Sequence, residues 1–223
     1  KAEITPVKIP NLDLVIKSRE ELSIATATLL NSCRKRHMDN GVTLIDPDNT
    51  YISLEAEIGK DTIIYPGTHI QGKTTIGSNC TIGPNSFIVN STIGDNTTVE
   101  FSKLEDTTIG TNTKVGPFAN LRFSTHVNDN ARIGSFVETK NVTIDNGSKV
   151  PHLTYVGDST VGKNVEIACG VITANMNVNY EKNISVVKYC CGSCNDVCFY
   201  AVGTKYVWTN KNKSCGSSWP LGG

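Results

Sequence analysis

The sequence predicts a mainly β protein, in which a parallel β-helix of hexapeptide repeats follows a single N-terminal α-helix. Two observations carry this prediction. An aliphatic residue recurs about every six positions through residues 50–173, and residues 17–38 carry the signals of a helix. A period of six fits neither the 3.6-residue period of a helix nor the two-residue period of a lone strand. It fits a solenoid in which each hexapeptide is a short strand followed by a turn.

Residues 17–38 predict the helix because both of its ends are marked. Ser18 and Glu21, three residues apart, form a capping box at the start. The expected apolar stripe consists of Leu22, Ala25, Leu29, Leu30 and Cys33. The basic run at residues 34–37 is interpreted as favourable to the carboxyl end of the helix dipole rather than as a binding patch. Asn40 and Gly41 predict the stop.

The repeat begins with isoleucines spaced by six residues: Ile52, Ile58, Ile64, Ile70, Ile76, Ile82 and Ile88. It continues with Ile93, Val99, Leu104, Ile109, Val115, Leu121, Val127 and Ile133, and later with Val156, Val161 and Ile167. Three hexapeptides close one triangular coil of about eighteen residues, and the aliphatic side chains point inward. Gly, Asn and Asp between them permit positive φ at the corners. Roughly seven coils at about 4.8 Å each predict a prism about 33 Å tall.

Composition and charge exclude several classes of protein. Lys+Arg equals Asp+Glu at 21 each, so nothing in the charge favours a nucleic-acid partner. No apolar stretch approaches the length of a membrane span. The first residues lack the cationic start and apolar core of a signal peptide. We therefore expect a cytoplasmic protein without a membrane span.

The cysteines are concentrated near the carboxyl end. Five of the eight lie in the last part of the chain: Cys190, Cys191, Cys194, Cys198 and Cys215. A secreted disulfide scaffold would distribute them through the fold. The short spacings between these cysteines are compatible with a zinc site. Paired C-x-x-C arms and a nearby His are lacking, however, so reduced, unliganded thiols are favoured.

Four segments are expected along the chain. Residues 1–16 are interpreted as the remnant of a preceding domain, and residues 17–41 as a connecting helix. Residues 42–183 form the β-helix. Residues 184–223 lack the six-residue spacing and are an atypical, Cys-rich segment.

The candidate site lies where the repeat is interrupted, at residues 149–162, "KVPHLTYVGDSTVG". Arg122 and Lys140 are one coil period apart, so they are expected to stack on one edge about 4.8 Å apart. Like charges in this arrangement repel unless an anion binds both. A phosphate would satisfy them, with Tyr155 donating a third hydrogen bond. His152 is then a candidate general base toward an amine of the same ligand. The alternative is a solvated His at a corner without a role.

Five motifs carry a resemblance to a known family. In chain order they are "NGVTLIDPDNTYI", "GPFANLR", "GSFVETK", "HLTYVGD" and "CGVITAN". Together they resemble the bacterial bifunctional enzymes that combine N-acetylglucosamine-1-phosphate uridyltransferase with glucosamine-1-phosphate N-acetyltransferase. The resemblance covers about residues 15–183. It implies a left-handed β-helix and transfer of acetyl from acetyl-CoA to glucosamine-1-phosphate, a step in UDP-N-acetylglucosamine biosynthesis for cell wall and lipopolysaccharide.

The resemblance also implies roles for individual residues. His152 matches the general base of the family. Arg122, Lys140 and Tyr155 match residues that bind the sugar phosphate, and Asn175 matches a residue that contacts the substrate.

Lys182 matches another phosphate-binding lysine of the family. The mechanism adds one more candidate, a backbone N–H near Cys169–Gly170 that would donate to the thioester oxygen of acetyl-CoA, because this oxygen gains charge in the transition state. A covalent role for Cys169 is disfavoured, because the family has small residues there and direct transfer needs no acyl-enzyme. The family assembles as homotrimers with sites between chains, takes small-molecule substrates and uses no metal for acetyl transfer.

The sequence departs from the family at several places. Phe123 stands where a Pro is usual, an Asn expected near Glu166 is absent, and Met176 replaces a Tyr. Residues 184–223 do not match the coils that supply acetyl-CoA contacts, and the uridyltransferase motifs are absent from this chain. Two alternatives to the glucosamine-1-phosphate acetyltransferase therefore stay open. One is a catalytically weakened trimeric scaffold, and the other is an acyltransferase for another amino sugar.

Overall fold

A computed structural model describes residues 16–173 and 185–187 as one helix followed by short strands. The elements are α1 (Arg19–Asp39), β1 (Thr43–Leu44), β2 (Thr50–Ile52), β3 (Glu57–Ile58), β4 (Ile63–Ile64), β5 (Thr68–Gln71), β6 (Thr75–Ile76), β7 (Thr81–Ile82), β8 (Phe87–Val89), β9 (Thr92–Ile93), β10 (Thr98–Val99), β11 (Lys103–Glu105), β12 (Thr107–Ile109), β13 (Lys114–Val115), β14 (Asn120–Leu121), β15 (Thr125–Val127), β16 (Arg132–Ile144), β17 (Lys149–Val161) and β18 (Ser185–Val187). The predicted order of a helix and then a mainly β repeat is confirmed.

The strands stack in parallel into three faces of a β-helix. Face A contains β1, β4, β7, β10, β13 and the first residues of β16 and β17. Face B contains β2, β5, β8, β11, β14 and the middle of β16 and β17. Face C contains β3, β6, β9, β12, β15, the ends of β16 and β17, and β18. The long strands β16 and β17 thus run across two corners, and each contributes to all three faces.

The register fixes which side chains are neighbours on successive coils. Thr50 pairs with Thr68, Thr98 with Lys114 and Arg132 with Lys149, which are steps of 18, 16 and 17 residues. The parallel β-helix with coils of about eighteen residues is therefore confirmed. The last step is longer, because Ser159 pairs with Ser185. Strand β18 consequently extends the ladder beyond the boundary expected at residue 183.

The aliphatic column forms the core. Its members in residues 50–173 are buried, apart from Ile58, which is partly buried. The column also continues through the segment where the six-residue count was interrupted. Ile144 and Val150 are fully buried there, and the buried Thr139 occupies the core position between Leu121 and Val156. The repeat therefore supports the candidate site instead of ending at it.

The corners have the backbone conformation that the composition predicted. Most of the non-Gly residues with positive φ among those described are Asn or Asp, which tolerate the left-handed region. Larger side chains occupy one corner: Phe101, Phe118, Phe136 and Leu153. All four are exposed, between 38% and 61%. They form an exposed apolar corner column between faces A and B, which the sequence reading did not anticipate.

The helix begins with the capping box that was predicted. The Ser18 hydroxyl accepts a hydrogen bond from the Glu21 N–H at 3.1 Å, and the Glu21 carboxylate accepts one from the Ser18 N–H at 3.0 Å. The expected apolar stripe is only partly buried. Ala25 and Cys33 are buried, whereas Leu22 is 49% exposed. Cys33, unlike Ala25, belongs to the core cluster of the β-helix, so contact with the β-helix is concentrated in the carboxyl-terminal half of α1.

The basic run contacts the β-helix, so it does more than face the helix dipole. Arg34 is buried, and its guanidinium donates to the carbonyl of Pro47. Arg36 donates to the carbonyl of Leu54 at 3.1 Å. These bonds satisfy carbonyl groups around the first coil and fix the helix to it.

Within the described ranges, no helix combines the length and the apolar character that a membrane crossing needs.

Candidate active site

Arg122 and Lys140 lie on neighbouring coils at the same edge of face B. Leu121 pairs with Thr139, and the Arg122 N–H donates to the Thr139 carbonyl at 3.0 Å. The next positions, Arg122 and Lys140, therefore share one register position, and Lys140 in turn pairs with Gly157. The structure therefore places Arg122 and Lys140 at one register position on successive coils. We call Arg122, Lys140 and Gly157 the cation column.

Glu138 is a member of the site that the sequence reading missed. Its carboxylate lies 2.7 Å from the Arg122 guanidinium, and both side chains are partly exposed. Lys140 Nζ lies 5.6 Å from the centroid of the Phe123 ring, a cation–π contact. Attraction to a carboxylate and to an aromatic face thus offsets part of the repulsion between the two cations. Strand alternation was the available signal, because Glu138 and Lys140 are two residues apart on one strand and face the same side.

Tyr155 starts in the column next to the cation column and reaches into it. Its backbone pairs with Glu138 on one side and with Ile172 on the other. Its ring, however, lies over Gly157. A Cβ built on Gly157 would meet the Tyr155 hydroxyl, with Cζ at 2.6 Å and Cε1 at 2.8 Å. The hydroxyl therefore occupies the third position of the cation column.

His152 lies at the opposite edge of face B, at the corner with face A. It pairs with Ser135 on the preceding coil, and the next residue, Leu153, has positive φ. The side chain is exposed, and the carbonyl of His152 accepts a hydrogen bond from the Thr154 hydroxyl at 2.8 Å. The imidazole is thus available to a ligand on the surface, three residues along β17 from Tyr155.

Cys169 lies beside His152 on the following coil. The bridges Lys149–Glu166 and Tyr155–Ile172 both step 17 residues, and the same step takes His152 to Cys169. The thiol is free and exposed. Glu166, where the resemblance leads one to expect an Asn nearby, pairs with Lys149 at the edge of this region.

Of the two backbone N–H groups considered as oxyanion donors, one already has a partner in the structure. The Gly170 N–H donates to the Leu153 carbonyl at 2.9 Å, and Gly170 has a φ of 77°. This N–H is therefore committed to the β-helix backbone. The remaining candidate of the two is the N–H of Cys169.

Other predicted residues lie outside the described part of the chain. These are Asn175, Met176, Lys182 and the five clustered cysteines at residues 190–215. Within residues 16–173 and 185–187, no group of three or more His, Cys, Asp or Glu side chains is arranged to hold a metal ion.

A shallow cavity of about 190 Å³ lies on face C, next to the edge that carries Lys140. His126, Asn141 and Asp158 are among its lining residues, and Asn141 donates to the Asp158 carboxylate at 2.5 Å. None of the predicted site residues within the described part of the chain lines it. The candidate site is therefore an open surface on face B and its edges.

Comparison with known proteins agrees with the repeat. Residues 55–90 match the family model "Bacterial transferase hexapeptide (six repeats)". Among solved structures, the UDP-N-acetylglucosamine acyltransferase of Francisella novicida is similar, with a TM-score of 0.47 and 19% identity. That match covers 60% of this chain and 63% of the other. At this identity and TM-score the likeness supports no inference about function.

Curated relatives are much more similar in sequence. The "Bifunctional protein GlmU" of Geobacillus sp. is 48% identical over 83% of this chain and 40% of its own length. The proteins of the same name from Clostridioides difficile and Caldanaerobacter subterraneus are 50% and 54% identical over 78% and 72% of this chain. The matches cover 38% and 35% of those two relatives. The chain thus spans about two fifths or less of the relatives that it matches.

Proposed function

The chain is homologous to part of the bifunctional GlmU proteins, and on this premise we propose that it is a glucosamine-1-phosphate N-acetyltransferase. The reaction would take acetyl-CoA and glucosamine-1-phosphate to N-acetylglucosamine-1-phosphate and CoA, in the biosynthesis of UDP-N-acetylglucosamine. The observation that carries the proposal is the cation column at one edge of face B with His152 at the other. A longer parent protein would add the uridyltransferase activity.

The cation column would bind the phosphate. Arg122 and Lys140 supply charged donors, and the Tyr155 hydroxyl adds a third donor at the position of Gly157. Hydrogen bonds from charged donors to phosphate are short and strong, and a guanidinium can bind two oxygens at once. A phosphate would exchange with the Glu138 carboxylate, which occupies Arg122 without ligand.

His152 would act on the amine. The ammonium form of the sugar has no lone pair for attack, so it first loses one proton to solvent. The neutral amine then adds to the thioester carbonyl, and as the C–N bond forms the nitrogen gives its second proton to the His152 imidazole. The oxyanion would be held by the Cys169 N–H. Collapse of the intermediate breaks the C–S bond, and the leaving CoA thiolate takes the proton from the His152 imidazolium, which restores the neutral base. No acyl-enzyme and no metal ion takes part in these steps.

The apolar corner column supports a trimer with sites between chains. The rings of Phe101 and Phe118 have centroids 5.6 Å apart, and those of Phe118 and Phe136 5.4 Å. Leu153, directly after His152, extends this exposed column. Contiguous exposed apolar side chains are typical of protein–protein contacts. A neighbouring chain on this corner would close the site beside His152, and acetyl-CoA would lie between the chains.

A thiol-release assay tests the proposal directly. The 223-residue chain is incubated with acetyl-CoA and glucosamine-1-phosphate, and free CoA is followed with a thiol reagent against a no-acceptor control. We expect CoA release that depends on glucosamine-1-phosphate. Galactosamine-1-phosphate and glucosamine-6-phosphate test an acyltransferase for another amino sugar. A folded, trimeric chain that releases no CoA with any acceptor would contradict the proposal and leave the scaffold alternative.

A further inference from the structure

We propose that Gly157 is a positioning residue, whose lack of a side chain steers the Tyr155 hydroxyl into the cation column. The inference rests on the proposed function, because it gives the hydroxyl its role as a phosphate donor. It goes beyond that function by explaining why the third position of the column is a glycine.

The direction of Tyr155 requires this explanation. The residue sits in the column Asn120–Glu138–Tyr155, not in the cation column. A tyrosine that stood straight out from the sheet would present its hydroxyl beside the Glu138 carboxylate. The ring instead folds toward residue 157, which lies two positions on in the same strand and faces the same side. The ring can lie over residue 157 only if that residue has no side chain.

The Tyr155 ring occupies the space above Gly157. A methyl group on this residue would overlap the Tyr155 hydroxyl and would stand 2.6 Å from Cζ and 2.8 Å from Cε1. No alternative rotamer of a methyl group relieves such a contact. The φ of Gly157 lies outside the left-handed region, so the backbone conformation itself does not require glycine.

The backbone of residue 157 is held in place, so the ring must yield to a methyl group. The Gly157 N–H donates to the Thr173 hydroxyl at 2.7 Å. Its carbonyl accepts from the hydroxyls of Ser159 at 2.6 Å and Thr173 at 2.9 Å. Gly157 also stays in register with Lys140 on the preceding coil. These bonds oppose a retreat of the main chain.

Replacement Gly157→Ala is the direct test. With the hydroxyl displaced from the column, the KM for glucosamine-1-phosphate is expected to rise about tenfold or more, the usual loss for one hydrogen bond to a charged group. The kcat should change less, because the phosphate is bound equally in ground and transition states. The KM for acetyl-CoA should not change. A purely structural defect would lower the amount of active enzyme without this selective effect.

The Tyr155→Phe variant provides the matched background. It keeps the ring and removes the hydroxyl, so the KM for glucosamine-1-phosphate should rise by a similar factor. Adding Gly157→Ala to Tyr155→Phe should then raise the KM little further. An equally large second rise would overturn the proposal, since Gly157 would then act by another route than the hydroxyl.

Two readouts do not depend on the activity of the chain. Gly157→Ala should lower Tm in the Tyr155 protein but much less in the Tyr155→Ala protein, where the ring is gone. A crystal structure of Gly157→Ala should show the ring displaced from residue 157. A ring that stays in place overturns the steering, whatever the enzyme assay gives. If the ring moves and CoA release is absent in the unmodified chain, the proposed function fails and the steric relationship stands.

Discussion

The Glu138 carboxylate lies 2.7 Å from the Arg122 guanidinium, on the next coil of the β-helix. The two side chains belong to adjacent columns of face B, so the ion pair crosses from one column to the other. Because both are partly exposed, the pair is worth only about 0–1 kcal/mol. A phosphate with two negative charges could therefore displace the carboxylate at little cost, and Glu138 would compete with the proposed phosphate ligand for Arg122.

Glu138→Gln tests this competition. The amide keeps the shape of the side chain and removes the charge that repels a phosphate. We expect inorganic phosphate and glucosamine-1-phosphate to bind more tightly, as measured by isothermal titration calorimetry. The free energy of unfolding should change by less than about 1 kcal/mol. Weaker binding of both ligands would mean that Glu138 supports the site instead of competing with the ligand.

Lys140→Met tests the cation column itself. The methionine keeps the length and apolar stem of the side chain but has no charge, so the KM for glucosamine-1-phosphate should rise about tenfold to a hundredfold. Lys114→Met is the matched control, because Lys114 is an exposed lysine on face A, also in a stacked register position. Steady-state kinetics should show the increase in Lys140→Met alone. If the KM for glucosamine-1-phosphate is the same in Lys140→Met and Lys114→Met, Lys140 does not bind the phosphate.

Cys169→Ala distinguishes direct transfer from an acyl-enzyme. The thiol is exposed and one coil from His152, which makes a covalent route conceivable. Direct transfer uses only the backbone N–H of this residue, which alanine retains, so kcat should be nearly unchanged. Intact-protein mass spectrometry after incubation with acetyl-CoA should find no acetyl group that depends on Cys169. The covalent route would be established if the unmodified chain carries an acetyl group after incubation and Cys169→Ala loses both this acetyl group and the activity.

The helix contact predicts a pH dependence of stability. His37 is buried, and burial lowers the pKa of its imidazole, with a further decrease from Arg36, whose Nη2 lies 3.4 Å from His37 Nε2. Folding therefore favours the neutral ring. This contribution to stability is complete above the ordinary pKa of about 6.5 and decreases as the pH falls from there through the lowered folded-state pKa.

His37→Gln should remove this dependence. Between pH 7.5 and pH 5.5, thermal denaturation should show a larger fall in Tm for the unmodified chain than for the variant. Carboxylates with lowered pKa, such as Asp46 and Asp145, are common to both proteins and cancel in the comparison. Parallel Tm curves for the two proteins would show that protonation of His37 is not coupled to folding.

The fold was predictable because its core depends on one periodic signal. An aliphatic residue every six positions fixes the coil length, and the coil length alone placed Lys140 next to Arg122. The signal was interrupted where Thr139 replaces an aliphatic residue, although Ile144 and Val150 are buried in register there. A polar residue in a core column is satisfied by a hydroxyl contact, here between Thr139 and Thr125 at 3.1 Å, which no hydrophobic pattern reveals.

The site was less predictable because it depends on side-chain directions. Period and alternation give the column of each residue, but they do not show that Tyr155 leaves its own column and lies over Gly157. They also do not show that Arg34 donates to carbonyls of the first coil, since that bond depends on how the helix docks. The roles of Asn175 and Lys182 and the state of the clustered cysteines remain predictions, because these residues lie outside the described ranges.

The rate of CoA release by His152→Ala tests the proposed general-base mechanism most directly. His152 is the proposed base, and its exposed side chain at the edge of face B makes no contribution to the core. His126→Ala is the matched control, since His126 is also exposed but lies on face C. We expect kcat to fall on the order of a hundredfold or more in His152→Ala, with Tm unchanged, and to stay the same in His126→Ala. Equal kcat values in His152→Ala and the unmodified chain would contradict general-base catalysis at this site.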